Sequence, residues 1–318
     1  MTTIPMTQAA ADIRGQVGRV FVGQEEFLRQ ALVCLFAGGH ALIEGVPGLG
    51  KTLAVRALAR AVGVEFKRVQ FTPDMMPSDL IGANIFDLGT SAFHLKRGPL
   101  FTQFLLADEV NRTPPKTQSA LLEAMEESRL SIDGQDYELT QPFMVFATQN
   151  PVEFEGTYPL PEAQLDRFMM KLVVGYPTRT EEDAVLRRTH AGFRSSDFGP
   201  VEMTAVIDGP GILDCRRQAE AVRVEDSLFA YILDIVEATR RHRHILLGGS
   251  PRASITLLKC AKASALLEGR DFVIPEDVQS LAAPVLRHRL MLTPDAEMEG
   301  VTPDRLIAQV LSGVRVPR

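Results

Sequence analysis

The chain has 318 residues, of which 45% are hydrophobic and 23% are charged, and its formal net charge is −6. This length accommodates one large and one smaller domain, each with its own core, and the composition is ordinary for a globular protein. The negative charge excludes a general electrostatic attraction to nucleic acid or to an anionic membrane.

The amino terminus, Met1 to Pro5, lacks the basic and apolar segments of a signal peptide. The apolar run from Ala31 to Ala37 is too short to span a bilayer. We therefore expect a cytoplasmic protein with no membrane insertion. The cysteines are far apart and lack metal-ligand spacing, so we expect buried thiols. They are Cys34, Cys215 and Cys260.

Short apolar runs alternate with amphipathic stretches in the first half of the chain. Residues 41–43 predict a buried strand that leads into a glycine-rich loop, and a helix follows that loop. Further strands are predicted at residues 65–71, 104–107, 143–148 and 169–174. The last three are mostly continuous apolar runs, which is typical of strands covered on both faces in a parallel sheet.

Two segments interrupt this alternation. Residues 84–100 contain two turn-like sequences between short apolar pieces. Residues 129–141 contain Asp133-Gly134 between apolar pieces, which favours a hairpin and leaves its turn type open.

The sequence indicates a domain boundary near residues 175–178. Thr178 and Glu181 have the spacing of a capping box that opens a helix, and helical patterns dominate beyond it. We predict a nucleotide-binding domain over 1–177 and a smaller helical domain over 178–318. Ser250-Pro251 predicts a helix start, whereas the polar, glycine-containing residues 191–215 predict a loop.

The glycine-rich loop matches the pattern G-x-x-x-x-G-K-[ST] completely, as Gly45-Val46-Pro47-Gly48-Leu49-Gly50-Lys51-Thr52. Glycines let the backbone wrap phosphate oxygens, and the next helix directs its positive amino end toward them. We expect Lys51 to contact the β- and γ-phosphates and the Thr52 hydroxyl to bind Mg2+. Because the match lies between a predicted strand and a predicted helix, it predicts an ATP site rather than an ordinary capping loop.

An acidic pair ends the next apolar strand, where Asp108 follows Lys51 by 57 residues (108 minus 51). One carboxylate at a strand end can hold Mg2+ through water, and a second can orient the attacking water. We assign the metal role to Asp108 and the general-base or water-positioning role to Glu109. Without the upstream loop, an acidic helix start would explain the pair equally well.

Three more polar residues follow predicted element ends. Asn150 ends an apolar strand before Pro151, where its amide could bond the γ-phosphate and the lytic water, although a turn asparagine is the common local explanation. Arg167 and Arg252 stand at element boundaries. Guanidinium groups stabilise charge on a transferring phosphoryl group, but each arginine alone is typical of a protein surface.

Together these residues resemble the AAA+ superfamily, and more narrowly the MoxR family, over nearly the whole chain. The matching motifs are Val22-Gly23-Gln24-Glu25, Gly38-Gly39-His40 before the P-loop, Ala107-Asp108-Glu109-Val110-Asn111-Arg112, Ala147-Thr148-Gln149-Asn150-Pro151 and Leu165-Asp166-Arg167-Phe168. The resemblance implies an α/β fold, with a five-stranded parallel sheet of order 5-1-4-3-2 in an αβα core and an all-α lid. It also implies a homo-oligomeric ring, usually a hexamer, with ATP at the subunit interfaces.

The resemblance further implies roles for single residues. Val22 and Gly23 would lie by the adenine, Asn150 would be sensor 1, and Arg167 would be the arginine finger of a neighbouring subunit. Arg252 would be sensor 2, and whether it acts in cis or in trans stays open. Residues 84–100 correspond to the helix-2 insert and residues 129–141 to the pre-sensor-1 hairpin of that branch.

The resemblance implies a chaperone-like remodelling ATPase that acts with partners carrying von Willebrand factor A domains. Its expected work is the assembly or activation of protein complexes, or metal insertion into them. The alternatives are a magnesium-chelatase-type subunit, a DNA motor and a nucleotide-gated scaffold. Intact Glu109 and Arg167 argue against the scaffold.

The charges of the predicted hairpin argue against a DNA motor. The hairpin carries Asp133, Asp136 and Glu138 against a single Arg129. Because affinity for nucleic acid comes from lysine and arginine, an acidic tip would repel phosphates. We therefore do not expect nucleic acid as a partner.

Overall fold

The computed structural model describes residues 4–150, 156–195 and 201–317. Pro151 of the fourth motif and the first three residues of the amino terminus lie outside the described residues. The strands are β1 (Ala41–Glu44), β2 (Phe66–Gln70), β3 (Gly82–Asp87), β4 (Ala92–Arg97), β5 (Phe104–Asp108), β6 (Arg129–Ile132), β7 (Gln135–Glu138), β8 (Met144–Gln149), β9 (Met170–Val173), β10 (Ile245–Leu247) and β11 (Met291–Leu292). The helices are α1 (Met6–Gly18), α2 (Glu25–Ala37), α3 (Lys51–Ala61), α4 (Pro77–Ile81), α5 (Pro115–Glu127), α6 (Glu162–Leu165), α7 (Arg179–His190), α8 (Gly209–Glu220), α9 (Asp226–Arg241), α10 (Pro251–Leu267), α11 (Pro275–Leu286), α12 (Pro294–Met298) and α13 (Pro303–Gly313).

A five-stranded sheet of order β2-β5-β8-β1-β9 forms the centre of the fold. All of its neighbouring strands run parallel. The five strand predictions are confirmed to within one residue at each end. Numbered 1 to 5 in chain order, the strands of this sheet are β1, β2, β5, β8 and β9. Starting from β9, the sheet therefore has the predicted order 5-1-4-3-2, which is also confirmed.

Alternate residues of the sheet enter two separate apolar cores. Ile43, Leu106 and Phe146 belong to one core, whereas Leu105 and Val145 belong to the other. Successive side chains of a strand point to opposite faces, so these central strands are apolar on both sides. The sheet is therefore the middle layer of an αβα sandwich.

The carboxy-terminal half of the chain is helical, apart from the short antiparallel pair β10–β11. The larger core runs without a break from α1, α2 and α3 into α8, α10 and α11. Because no gap in burial separates the two halves, the domain boundary at 177/178 stays a prediction. Along the described residues, no helix has the length and apolarity that crossing a membrane requires.

Helix starts follow the predicted capping chemistry in part. The capping box of Thr178 and Glu181 opens α7, and α10 begins at Pro251 after Ser250. The predicted loop over 191–215 is wrong from Gly209 onward, because α8 begins there. Its start contains two glycines and a proline, which hide the helical pattern, and the Asp208 carboxylate caps it by accepting from the Gly211 N–H at 2.8 Å.

Both interrupting segments form antiparallel hairpins, β3–β4 and β6–β7. Asp133 and Gly134 alone connect β6 to β7, with φ of 51° and 81°. Positive φ at both central residues is the mark of a type I′ turn, which resolves the turn type that the sequence left open. Asn84 Nδ2 donates to Asp133 Oδ2 at 2.8 Å and joins the two hairpins.

The three cysteines are free and buried, as predicted. Burial raises the pKa of Cys215 to about 11 and that of Cys260 to about 12. Because the thiolate is the reactive form, both thiols are inert at neutral pH.

His40 joins three elements beneath the amino end of β1. Its Nδ1 accepts from the backbone N–H of Val145 at 3.0 Å, so its Nε2 carries the proton and donates to the Met125 carbonyl at 3.0 Å. Burial lowers the pKa of His40 to about 4. The ring is therefore neutral at physiological pH and serves as a structural bridge.

We predict that His40 makes the fold sensitive to acid. Because its folded-state pKa is depressed below the unfolded value of about 6.5, the stability it contributes is full at neutral pH and is lost as pH falls toward 4. Between pH 7 and pH 5 this loss amounts to about 2 kcal/mol of unfolding free energy. Urea unfolding at both pH values should show a smaller decrease for His40→Gln than for the wild type. Replacing the exposed His190 in the same way should leave the decrease unchanged; equal decreases in all three proteins would contradict the assignment.

Candidate nucleotide site

The glycine-rich loop connects β1 to α3 at the carboxyl edge of the sheet. Gly48 and Gly50 have φ of 87° and 78°, a left-handed conformation that glycine adopts without steric cost. No atom lies within 4 Å of the position that a Cβ on Gly48 would take, so this part of the loop borders open space. The first N–H groups of α3 have no partner inside the helix and attract an anion.

A cleft of about 740 Å³ opens beside this loop. It collects side chains from the carboxyl ends of three neighbouring strands and from the start of α3, where open α/β sheets bind ligands. The polar and charged side chains that line it include Lys51, Thr52, Arg56, Arg68, Gln70, Asp108, Glu109, Thr148 and Asn150. The structure thus brings Lys51, Thr52, Asp108, Glu109 and Asn150 together, as the sequence predicts.

Lys51 points back toward its own loop, where Nζ donates to the Gly45 carbonyl at 2.5 Å. Burial lowers the pKa of Lys51, while the charges of Asp108, Glu109 and Glu44 act in the opposite direction. The ammonium group therefore lies in the cleft, within electrostatic reach of three carboxylates.

One hydroxyl fixes the acidic pair. Thr148 Oγ1 donates to Asp108 Oδ1 at 2.6 Å and accepts from the backbone N–H of Glu109 at 2.8 Å. Glu109 has left-handed backbone angles, φ 58° and ψ 50°, which are uncommon for a residue with a side chain. Sequence reasoning missed Thr148, although its position in an otherwise apolar strand was the available signal.

Both carboxylates of the pair also face arginines. Arg68 Nη2 and Nε donate to Asp108 Oδ2 at 2.7 and 3.1 Å. Glu109 Oε2 accepts from Gln70 Nε2 at 2.6 Å and lies 2.9 Å from Arg112 Nε. Sequence reasoning missed Arg68 and Gln70 because polar residues on an edge strand resemble an ordinary surface.

The residues present fit Mg2+. Thr52 and Asp108 supply oxygen atoms in the same cleft, and Mg2+ prefers oxygen ligands shared between one or two carboxylates and substrate phosphates. The Arg68 guanidinium pairs with the carboxylate that would receive this cation, so the two positive charges compete for Asp108.

Arg167 and Arg252 are not among the residues that line the cleft. They meet instead on Glu126 of α5, which forms an ion pair with Arg167 and lies 3.4 Å from Arg252 Nη2. Arg167 Nη1 also donates to the Leu122 carbonyl at 3.3 Å. We call Glu126, Arg167 and Arg252 the arginine cluster.

The direction of β9 explains the separation of the cluster from the cleft. Arg167 precedes the first residue of β9, and β9 runs parallel to β1 from Met170 beside Ala41 to Val173 beside Glu44. Arg167 therefore lies toward the amino edge of the sheet, whereas the P-loop follows the carboxyl end of β1. The length of β1 alone, at about 3.3 Å per residue, separates the two edges by about 13 Å.

Val22 and Gly23 line a neighbouring depression that also includes Phe21 and Arg188. The Phe21 ring lies 3.2 Å from the position of a Cβ on Gly50, so this segment packs against the P-loop. The contact of Val22 and Gly23 with adenine stays a prediction.

The parallel sheet, its strand order and the glycine-rich loop beside an acidic pair define a P-loop nucleotide-binding protein. The family described as the ATPase family associated with various cellular activities (AAA) matches residues 40–170. An AAA lid domain matches residues 237–310.

Relatives support a narrower assignment. The uncharacterised protein YeaC of Bacillus subtilis is 49% identical, over 95% of this chain and 92% of that protein. Chaperone MoxR1 of Mycobacterium tuberculosis is 43% identical, over 95% of this chain and 81% of its own length. A crystal structure of a protein assigned as an ATPase, from Cytophaga hutchinsonii, superposes with a TM-score of 0.90 at 42% identity and covers 98% of this chain and 96% of that one. The chain belongs to the MoxR family of AAA+ ATPases, and its reaction is the hydrolysis of ATP.

We predict that Thr148→Val lowers kcat for ATP hydrolysis by about 10- to 100-fold, as the loss of an orienting hydrogen bond at a catalytic group commonly does. The variant removes the hydroxyl that fixes Asp108 and Glu109. Thr117→Val is the matched control, because it also deletes a buried threonine hydroxyl, which bonds the Met75 carbonyl away from the cleft. Equal kcat losses in the two variants would show that Thr148 acts on stability alone.

Proposed function

We propose that this chain couples ATP hydrolysis to the remodelling of partner proteins and works as a ring of identical subunits, in which neighbouring chains complete each other's active sites.

 Each active site then needs the cleft of one subunit and the arginine cluster of the next. The observation that carries this proposal is the position of Arg167 and Arg252, which pair with Glu126 outside their own cleft. We infer that both arginines act in trans.

In the proposed site, the P-loop N–H groups and Lys51 bind the phosphates. Thr52 and Asp108 would hold Mg2+, which would neutralise phosphate charge. Glu109 orients the attacking water and accepts its proton, and Asn150 bonds the γ-phosphate and that water. Arg68, which donates to Asp108 Oδ2, would compete with that cation, while Thr148 keeps the carboxylate in place.

The arginine cluster would add guanidinium groups to a cleft whose own Arg68 is paired with Asp108. A guanidinium group from a neighbouring subunit stabilises charge on the transferring phosphoryl group and can increase the rate by about 10³–10⁵. In the single chain Glu126 pairs with both arginines and offsets part of their charge. In the ring, the γ-phosphate of ATP in the neighbouring subunit offers the arginines a more highly charged partner. Turnover therefore depends on assembly. We propose that the ring has six subunits.

We further propose that the chain acts with a partner protein that carries a von Willebrand factor A domain, and that it assists the assembly, activation or metal loading of protein complexes in the cytoplasm. Support comes from the relative named as a chaperone and from the β6–β7 hairpin. Arg129, its single basic residue, lies 3.2 Å from both Glu127 and Asp136. With that charge already paired, the hairpin presents net negative charge, which disfavours nucleic acid.

Mixing experiments test the shared site. Arg167→Ala subunits keep an intact cleft, and Lys51→Ala subunits keep an intact arginine cluster, so each protein alone should be nearly inactive. A 1:1 mixture should recover ATPase activity, because about a quarter of the interfaces in a randomly mixed ring join an intact cleft to an intact arginine.

The matched control mixes Lys51→Ala with Glu109→Gln subunits, which both carry the lesion in the cleft and should not complement each other. Native mass spectrometry verifies that mixed rings form. Mixed rings without any recovery of activity would refute the placement of Arg167 in trans.

A trapped variant tests the partner. Glu109→Gln should bind ATP with unchanged affinity but hydrolyse it at least about 100-fold more slowly, because it lacks the general base. Affinity capture with this variant and ATP should retain a protein with a von Willebrand factor A domain, identified by mass spectrometry. Lys51→Ala, which cannot hold the phosphates, should retain none. Recovery of nucleic acid without a protein partner would overturn the remodelling proposal.

A further inference from the structure

The residue before Arg167 connects the sheet to the lid helices. Asp166 is the C-cap residue of α6, and its Oδ1 accepts from Arg289 Nε at 2.6 Å. Its other oxygen, Oδ2, accepts from the Ser250 hydroxyl at 3.1 Å. We call Asp166, Ser250 and Arg289 the lid junction.

All N–H donors of the Arg289 guanidinium group are hydrogen-bonded in this part of the structure. Its side chain is only 2% exposed, and it donates to the carbonyls of Asp166, Phe168, Met169 and Val285 as well as to the Asp166 carboxylate. These five bonds equal the five N–H donors of a guanidinium group. A buried arginine so engaged fixes the backbone on both sides of Arg167, because breaking any bond leaves a buried polar group without a partner.

Neighbouring lid residues strengthen the same attachment. His288 Nε2 donates to the Phe168 carbonyl at 2.9 Å, and Arg287 Nη1 donates to the Lys171 carbonyl at 3.3 Å. Three consecutive residues after α11 therefore bond the segment that leads from Arg167 into β9.

The second arginine is attached to the same carboxylate. Ser250 is the N-cap residue of α10, yet its side chain makes no capping bond to that helix and donates to Asp166 instead. Arg252 follows two residues later, in the first turn of α10. Asp166 is thus adjacent in sequence to Arg167 and one hydrogen bond away from the helix start that carries Arg252.

We propose that the lid junction is a positioning device that holds Arg167 and Arg252 in a fixed relation to each other, so that both reach the neighbour's phosphates together. This inference rests on the shared site proposed above. Asp166, Ser250 and Arg289 are positioning residues, since they act through the two arginines and not on the nucleotide.

Asp166→Asn tests the proposal, because it removes the carboxylate charge while it preserves the shape of the side chain. We expect kcat for ATP hydrolysis to fall by about 10- to 100-fold, as a displacement of about 1 Å at a catalytic group can cause, with unchanged nucleotide affinity. In an Arg167→Ala, Arg252→Ala background the same change should have little further effect, because the arginines that it positions are gone. A merely structural role would cost the same factor in both backgrounds.

Asp271→Asn is the control. It removes a lid carboxylate that lies 3.1 Å from Arg223 Nη2, and neither residue bonds the junction among the described hydrogen bonds and ion pairs. Its kcat should equal that of the wild type. Ser250→Ala is a milder second variant that keeps the Arg289–Asp166 pair, and its smaller loss of kcat should disappear in the Arg252→Ala background.

Mixed rings separate this inference from the shared site itself. Asp166→Asn subunits should recover activity with Lys51→Ala subunits, because the first keeps an intact cleft and the second keeps an intact arginine cluster. They should not recover it with Arg167→Ala subunits, because both of these variants damage the arginine side of the interface. If Arg167→Ala is rescued by Lys51→Ala but Asp166→Asn is not, the positioning role is overturned. If neither is rescued, the shared site falls and the positioning role falls with it.

Discussion

The parallel register of β1 with its two neighbours is the constraint on which the site depends. Because β8 and β9 flank β1 and run in its direction, the chain leaves β1 and β8 at the same edge of the sheet. That edge receives the P-loop, the acidic pair of β5 and Asn150. The chain enters β9 at the opposite edge, so the residue that precedes it, Arg167, is held away from its own P-loop. The parallel topology therefore creates the cleft and also places Arg167 outside it.

The sequence predicted the parts of the site that depend on local pattern. A P-loop, a pair of carboxylates and an asparagine at the ends of apolar runs converge whenever those runs are adjacent parallel strands. The contacts that the sequence did not reveal join residues that are distant in the chain and ordinary in local context. Arg68 looks like a solvated residue of an edge strand, and Arg289 looks like a surface arginine at a helix end, until folding places each beside an aspartate.

The one structural error, the loop expected over residues 191–215, has a related cause. Glycine and proline at the start of α8 suppress the helical pattern, while Ile212 and Cys215 supply the burial that stabilises the helix. Tertiary packing thus overrides weak local propensity there. The opposite holds for α7, whose capping box is visible in the sequence because it is satisfied within a single turn.

Glu126 has a consequence for the chain before assembly. A carboxylate that pairs with two arginines also offsets part of the positive charge that a neighbouring nucleotide would attract. On the shared-site proposal, an unassembled subunit can bind ATP but has little means to consume it. Specific activity then rises with protein concentration, and dilution alone is enough to silence the enzyme. On this proposal, ATP hydrolysis depends on the presence of the assembled ring.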